Sequence, residues 1–139
     1  MSVYLDASVL IPLFVDDDHF SERATRWSES MTRMTVSDWT AAEFSSALSF
    51  HVRQGRLTPQ EREKIELSLD EFMETFVDIV EVEPLDIVEA RYLLQRHPSL
   101  KTPDALQLAI ATRLEGQFAT YDKTLASAAR RDGLDVIEP

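Results

Sequence analysis

Residues 102–111 read TPDALQLAIA. Behind the proline the run is apolar except for Gln107 and a single acid, Asp104. A helix that is apolar on all sides belongs in the interior of a layered domain. A carboxylate on its first turn therefore needs an explanation.

The neighbouring segments supply the layers. QFATYD (117–122) is β-rich and ends in a turn, KTLASAARRDG (123–133) returns to a helical pattern, and LDVIEP (134–139) is a closing strand. Upstream, LDIVEARYLLQRH (85–97) reads as a helix and VDIVEVEP (77–84) contains a strand. Thr58, Pro59 and Glu61 form a helix start, with a capping threonine, proline at the first helical position and a glutamate closing the box. That helix runs through LSLDEFMETF (67–76). DWTAAEFSSALSFHVRQG (38–55) is a helix stopped by Gly55, behind the short strand MTVS (34–37). DDDHFSERATRWSESM (16–31) is a polar amphipathic helix, with the three acids 16–18 as its solvated start. ASVLIPLFV (7–15) is helical, with Pro12 bending it or lying in its first turn, and SVYLD (2–6) is a strand ending at Asp6. Five short strands alternate with helices and lack a polar face. This predicts an α/β fold: one domain over residues 1–139, with a short parallel sheet flanked by helices on both faces.

The bulk composition bounds the function. A chain of 139 residues, 44% hydrophobic, can bury an ordinary core. A formal net charge of -11 argues against gripping nucleic acid with a broadly basic surface. It leaves room for bound cations to reverse the field locally, and it suits a basic protein partner. The absence of cysteine removes disulfides, cysteine zinc sites and thiol catalysis, and fits a reducing compartment. MSVYLDASVLIPLFV is apolar, but Asp6 interrupts it and no basic segment precedes it, so it is a poor signal peptide. No apolar run is long enough to span a bilayer. The expected setting is the cytoplasm, without membrane contact.

In open parallel sheets ligands bind at the carboxyl ends of the strands. Asp6 closes the first strand, Asp122 follows QFAT, and Glu43 lies early in the helix after MTVS. Asp104 joins them only if the N-terminus of its own helix points at the same crevice. Each acid has a plain structural reading as well. Asp6 suits a helix cap, and Glu43 follows Thr40 at the spacing of a capping box. Asp104 suits a helix dipole, and Asp122 a turn. Four carboxylates gathered together would repel one another unless cations neutralise them or their pKa values rise. Oxygen-only ligands favour Mg²⁺ or Mn²⁺, and such ions serve phosphoryl transfer to water.

YLDASVL, TAAEFSSAL, TPDALQLAIA and FATYDKTLASAARRDGLDVI, in that order, resemble the PIN-domain nucleases, and within them the VapC-type toxin ribonucleases. The resemblance covers nearly the whole chain. It implies a parallel sheet flanked by helices, cleavage of RNA with Mg²⁺ or Mn²⁺, and a small antitoxin partner that also binds DNA. A homodimer is expected as well. Asp6, Glu43, Asp104 and Asp122 match the family's four acids in order, as catalytic and metal-holding residues. Ser8 and Thr120 match hydroxyl residues that support them, with local capping and turn bonding as the structural alternative. Gln107 departs from the pattern, since relatives often carry histidine there, and Thr102-Pro103 before the third acid is a second departure. Neither is expected to touch metal ligation, but both are expected to bear on substrate or partner fit.

Other features read as structure. His19, His51 and His97 have no metal spacing, Trp27 and Trp39 read as packing residues, and Arg130 and Arg131 as a solvated face. Phe44, Leu48, Val52, Leu67, Phe72 and Phe76 exceed what a small core needs, so some are expected to face a partner. A haloacid-dehalogenase-type phosphatase would need a second acid where Ser8 stands. A receiver domain would need a lysine placed as neither Lys101 nor Lys123 is. A PIN-like module that only binds protein or RNA is the alternative of a different class.

Overall fold

The computed structural model describes residues 2–16 and 19–139. Asp17 and Asp18, expected to open a helix, lie outside the described residues. Strand β1 (Val3–Leu5) is followed by the single-turn helix α1 (Ala7–Leu10), which passes into a 3-10 turn (Ile11–Leu13) holding Pro12. Then come α2 (Ser21–Glu29), β2 (Met34–Ser37), α3 (Asp38–Arg53), α4 (Pro59–Thr75) and β3 (Val77–Val80). The chain continues with α5 (Pro84–Arg96), α6 (Thr102–Leu114), β4 (Gln117–Ala119), α7 (Lys123–Arg131) and β5 (Asp135–Ile137). The five strands form one sheet in the order β3-β2-β1-β4-β5, every pairing parallel. The α/β architecture expected from the strand–helix alternation is the one observed.

The two-residue period of a strand divides the core in two. On β1, Val3 and Leu5 point into a cluster with Val9, Leu10, Phe44, Leu48 and Leu69. Tyr4 points the other way, into a cluster with Leu93, Leu108, Phe118 and Leu125. Both faces of the central strands are therefore buried, and neither β1 nor β2 has an exposed side. The edge strand β3 has no such cover, and Ile79 is exposed. Helix α6 is buried without interruption from Ala105 to Ala111, as its all-round apolar pattern requires.

The helix boundaries follow local chemistry, with two corrections. Thr58 caps α4 through Glu61 N–H, and the Glu61 side chain returns the bond to Thr58 N–H. Gly55 terminates α3 at φ +70°, a left-handed position that glycine takes without a Cβ penalty. The pattern TPDALQLAIATRLEG (102–116) predicts a second helix stop at Gly116, and the observed stop is different. Glu115 takes the left-handed cap at φ 53°, and Gly116 is needed for another reason. A Cβ there would sit 2.6 Å from the Ser2 carbonyl oxygen, so only glycine lets β4 begin beside the chain start. The second correction concerns α3. Its capping box is formed by Ser37 and Thr40, not by Thr40 and Glu43. Glu43 is thereby left without a capping role.

Candidate active site

The carboxyl ends of β1, β2 and β4 lie side by side, and the four acids singled out from the sequence line one groove of about 460 Å³. Asp6 follows β1, Glu43 sits on the second turn of α3 behind β2, and Asp122 opens α7 behind β4. Asp104 joins them because the first turn of α6 also faces the groove.

Asp6 occupies the N-cap position of α1, yet its side chain makes no capping bond. Its Oδ2 instead accepts from Ser8 Oγ at 2.7 Å and from Thr120 Oγ1 at 2.8 Å. The same two hydroxyl oxygens accept from Tyr121 N–H at 2.9 Å and Asp122 N–H at 3.0 Å. Each hydroxyl thus has its proton on Asp6 and its lone pair on the turn that carries Asp122. The two readings of Ser8 and Thr120, carboxylate support and turn bonding, are one arrangement. Asp122 is the acid whose structural role is realised as well. Its Oδ1 caps α7 by accepting from Leu125 N–H at 2.9 Å.

Glu43 is held by the departure noted at Gln107. The Gln107 amide donates to Glu43 Oε1 at 2.7 Å, and its carbonyl oxygen accepts from the Tyr4 hydroxyl. Tyr4 also bonds Ser37 Oγ at 2.7 Å, and Thr40 Oγ1 donates to the Leu5 carbonyl at 3.1 Å. Gln107 is fully buried, so an amide on an apolar helix is satisfied only through this network. Gln107 is therefore one of the residues that place an acid of the groove. The signal was available: Gln107 lies three residues after Asp104, hence on the same face of α6. Its partners Tyr4 and Glu43 lie far away in sequence and could not be read.

Electrostatics bind the group together. Burial raises the Asp6 pKa against the pull of Ser8 and Thr120, and the charge of Asp122 raises it further. Burial pushes Glu43 up to about 7, opposed by the Gln107 bond and reinforced by Asp6, Asp104 and Asp122. Asp104 rises to about 6 through burial first, then repulsion from Asp122 and Asp6, with Lys101 opposing. Among the described residues no group of three or more His, Cys, Asp or Glu is assembled into a cage for a metal ion. The acids instead line a shared, open groove. Their donor set is oxygen-only, and a hard divalent cation would relieve their mutual repulsion, so in chemistry the residues present fit Mg²⁺ or Mn²⁺.

The remaining candidates separate cleanly. His97 is buried against Asp132 at 2.8 Å, and Trp39 donates to the Pro103 carbonyl at 3.3 Å. Arg130 pairs with Glu138 at 3.4 Å on the surface. Of the apolar residues in excess, Phe44 and Leu48 are core, whereas Leu67 and Phe76 are exposed.

The sequence model of the PIN domain matches residues 3–131. Ribonuclease VapC3 of Pyrobaculum aerophilum is 26% identical over 126 residues, covering 91% of this chain and 93% of the relative. The fold is similar to that of Mycobacterium tuberculosis VapC20, described as a sarcin-ricin loop cleaving toxin. That likeness has a TM-score of 0.76 at 18% identity and covers 99% of both chains. It is also similar to a chain of VapBC2 from Rickettsia felis, solved bound to a DNA fragment from its promoter. There the TM-score is 0.68 at 14% identity, over 99% of this chain and 98% of the other.

Proposed function

This chain belongs to the PIN domain family, and we propose that it is a Mg²⁺- or Mn²⁺-dependent endoribonuclease, the toxin of a toxin–antitoxin pair. The observation that carries the reading is the single groove lined by Asp6, Glu43, Asp104 and Asp122. The likeness to a protein named a ribonuclease, over nine-tenths of the chain, supports it. Asp6, Asp104 and Asp122 would hold the cation, with Glu43 either holding a second or orienting water. A divalent ion bound there supplies Lewis acidity and neutralises charge on the phosphate oxygens.

The chain's own residues do the rest. Ser8 and Thr120 hold Asp6 in one orientation, so no rotamer search is needed when the cation arrives. Gln107 aims Glu43 into the groove. Burial and the neighbouring acids push Glu43 up to about 7 in the cation-free groove, and a cation there would lower it again, so Glu43 would act as a carboxylate that holds the ion or orients the attacking water. Water attacks phosphorus in line, the bond to the 3′ oxygen breaks, and the products carry a 5′-phosphate and a 3′-hydroxyl.

The similar structures include toxin–antitoxin complexes from Klebsiella pneumoniae and Rickettsia felis. By analogy the partner here is a small basic antitoxin, complementary to a chain of net charge -11. Cleavage of total RNA by the purified chain, with Mg²⁺ and with chelator, and by Asp6→Asn tests the activity. Cleavage that persists in chelator removes the metal-dependent reading. Co-expression with the adjacent small reading frame tests the partnership: growth arrest should be relieved and a complex should survive gel filtration.

A further inference from the structure

The groove that holds the acids does not end at them. It continues along α3, whose residues 43, 46, 47, 50 and 53 share one face at helical spacing and all line it. Ser46 and Ala47 are its small residues on α3, and Ala7, Ser8 and Ile11 also line it. Phe50 and Arg53 stand at the far end. Phe50 is 46% exposed, whereas Phe44 and Leu48 on the same helix are buried. Arg53 is exposed and is the one cation among the residues lining the groove. Among the described residues it has no ion-pair partner, although acids outnumber bases in the chain by 25 to 14.

We propose that Phe50 and Arg53 form a substrate subsite for single-stranded RNA, with the phenyl ring stacking on a base and the guanidinium binding a phosphate beyond the scissile one. The inference rests on the ribonuclease reading and names the substrate contact of that same groove. An α-helix rises about 1.5 Å per residue, so Phe50 lies about 10 Å and Arg53 about 15 Å along α3 from Glu43. At ~3.4 Å per stacked nucleotide, the ring is about three nucleotides from the acids. An exposed ring beside a single groove cation is a combination that binds a strand without reading its sequence. An apolar helix of a protein partner would meet Ile11, Ala47 and Phe50 there, but Ser8, Glu43 and Ser46 interrupt them. Arg53 also answers the charge problem. A polyanion approaching an acidic molecule needs a local cation, and here the cation shares the groove with the acids.

The test uses the full chain and a short fluorescein-labelled single-stranded RNA of mixed sequence. Phe50→Ala, Phe50→Trp and Arg53→Gln are compared with wild type for KM and kcat in Mg²⁺. The same substitutions on an Asp6→Asn background are compared for binding by fluorescence anisotropy across a salt series. Both side chains are exposed, so melting curves should match wild type. Phe50→Ala should weaken binding about five- to a hundredfold and raise KM in step while kcat holds, and Phe50→Trp should restore both. Arg53→Gln should raise KM and flatten the plot of log affinity against log salt by about 0.7, the loss of one phosphate contact on a single strand. KM, affinity and salt slope unchanged in both variants, in a chain that cleaves RNA, overturn the subsite and leave the nuclease reading standing. Unchanged RNA binding together with lost capture of the co-expressed antitoxin overturns it too and makes the face a protein contact. If wild type cleaves no RNA, the nuclease reading fails on its own, and the anisotropy series still decides the subsite.

Discussion

Asp104→Asn distinguishes a site from a helix start without any substrate. Were Asp104 only a favourable first-turn acid, its charge would stabilise α6 through the helix dipole, and its removal would cost about 0.3–1 kcal/mol. The structure gives the opposite sign. Burial, Asp122 and Asp6 raise its pKa from 3.8 to about 6. At 1.36 kcal/mol per unit, that is a ceiling of about 3 kcal/mol against the ionised form in the folded chain. Asp104 is only partly buried, and solvent screening reduces the figure to about 1 kcal/mol. Because the folded pKa is the higher one, the relative stabilisation is fully present below about 4 and is lost as pH rises through about 6. Asparagine carries no such penalty at any pH. In chelator at pH 8, Asp104→Asn should therefore melt about 3–4 °C above wild type, and the gap should close on acidification towards pH 4. Mg²⁺ binds the native groove and not the unfolded chain. At ten times its Kd it should stabilise wild type by about 1.4 kcal/mol, and the variant by less. The assay is four melting curves at matched ionic strength, two proteins with and without Mg²⁺. A variant that melts lower in chelator, with a Mg²⁺ response equal to that of wild type, would refute the reasoning and return Asp104 to a dipole role.

Asp6→Asn and Asp122→Asn should each lower kcat for RNA cleavage by at least about a hundredfold, measured with labelled RNA in Mg²⁺ or Mn²⁺. Asp122→Asn should lose less stability than Asp122→Ala, since asparagine keeps the cap on Leu125 N–H. Gln107→Leu removes the donor that holds Glu43 Oε1 and should cost about 10- to 100-fold in kcat with little change in KM. An unchanged kcat there would show that Glu43 finds its position unaided. Away from the groove, Asp86 is 2% exposed and accepts from Arg113 Nε at 2.8 Å and from Glu83 N–H at 2.8 Å. Burial alone would raise its pKa, but Arg113 and Glu83 N–H hold it below the usual value, so its contribution is present above about pH 4 and is lost as pH falls. Arg113→Met should cost about 3 kcal/mol at neutral pH by urea titration, because it leaves a buried carboxylate unpaired.

The sequence by itself determined the layers. Val3, Tyr4 and Leu5 alternate between two buried faces, and Ala105–Ala111 is apolar all round, so a covered parallel sheet was the consistent arrangement. Caps with local partners were equally legible, as at Thr58–Glu61 and Gly55, because every atom involved lies within one turn of chain. The four acids could be named from strand ends and helix starts. Their meeting in one groove was decided only by the tertiary structure, since that depends on strand order and on α6 pointing its first turn at the ends of β1 and β4. The same holds for Gln107. Its amide makes sense only beside Tyr4, 103 positions away, and Glu43, 64 away. Gly116 belongs with it, a glycine demanded by the Ser2 carbonyl and not by the helix it follows. Hydrophobic period and capping act over a few residues and are therefore written locally. A buried hydrogen bond or a shared charge field acts over a few ångströms, between residues that the chain brings together only when it folds.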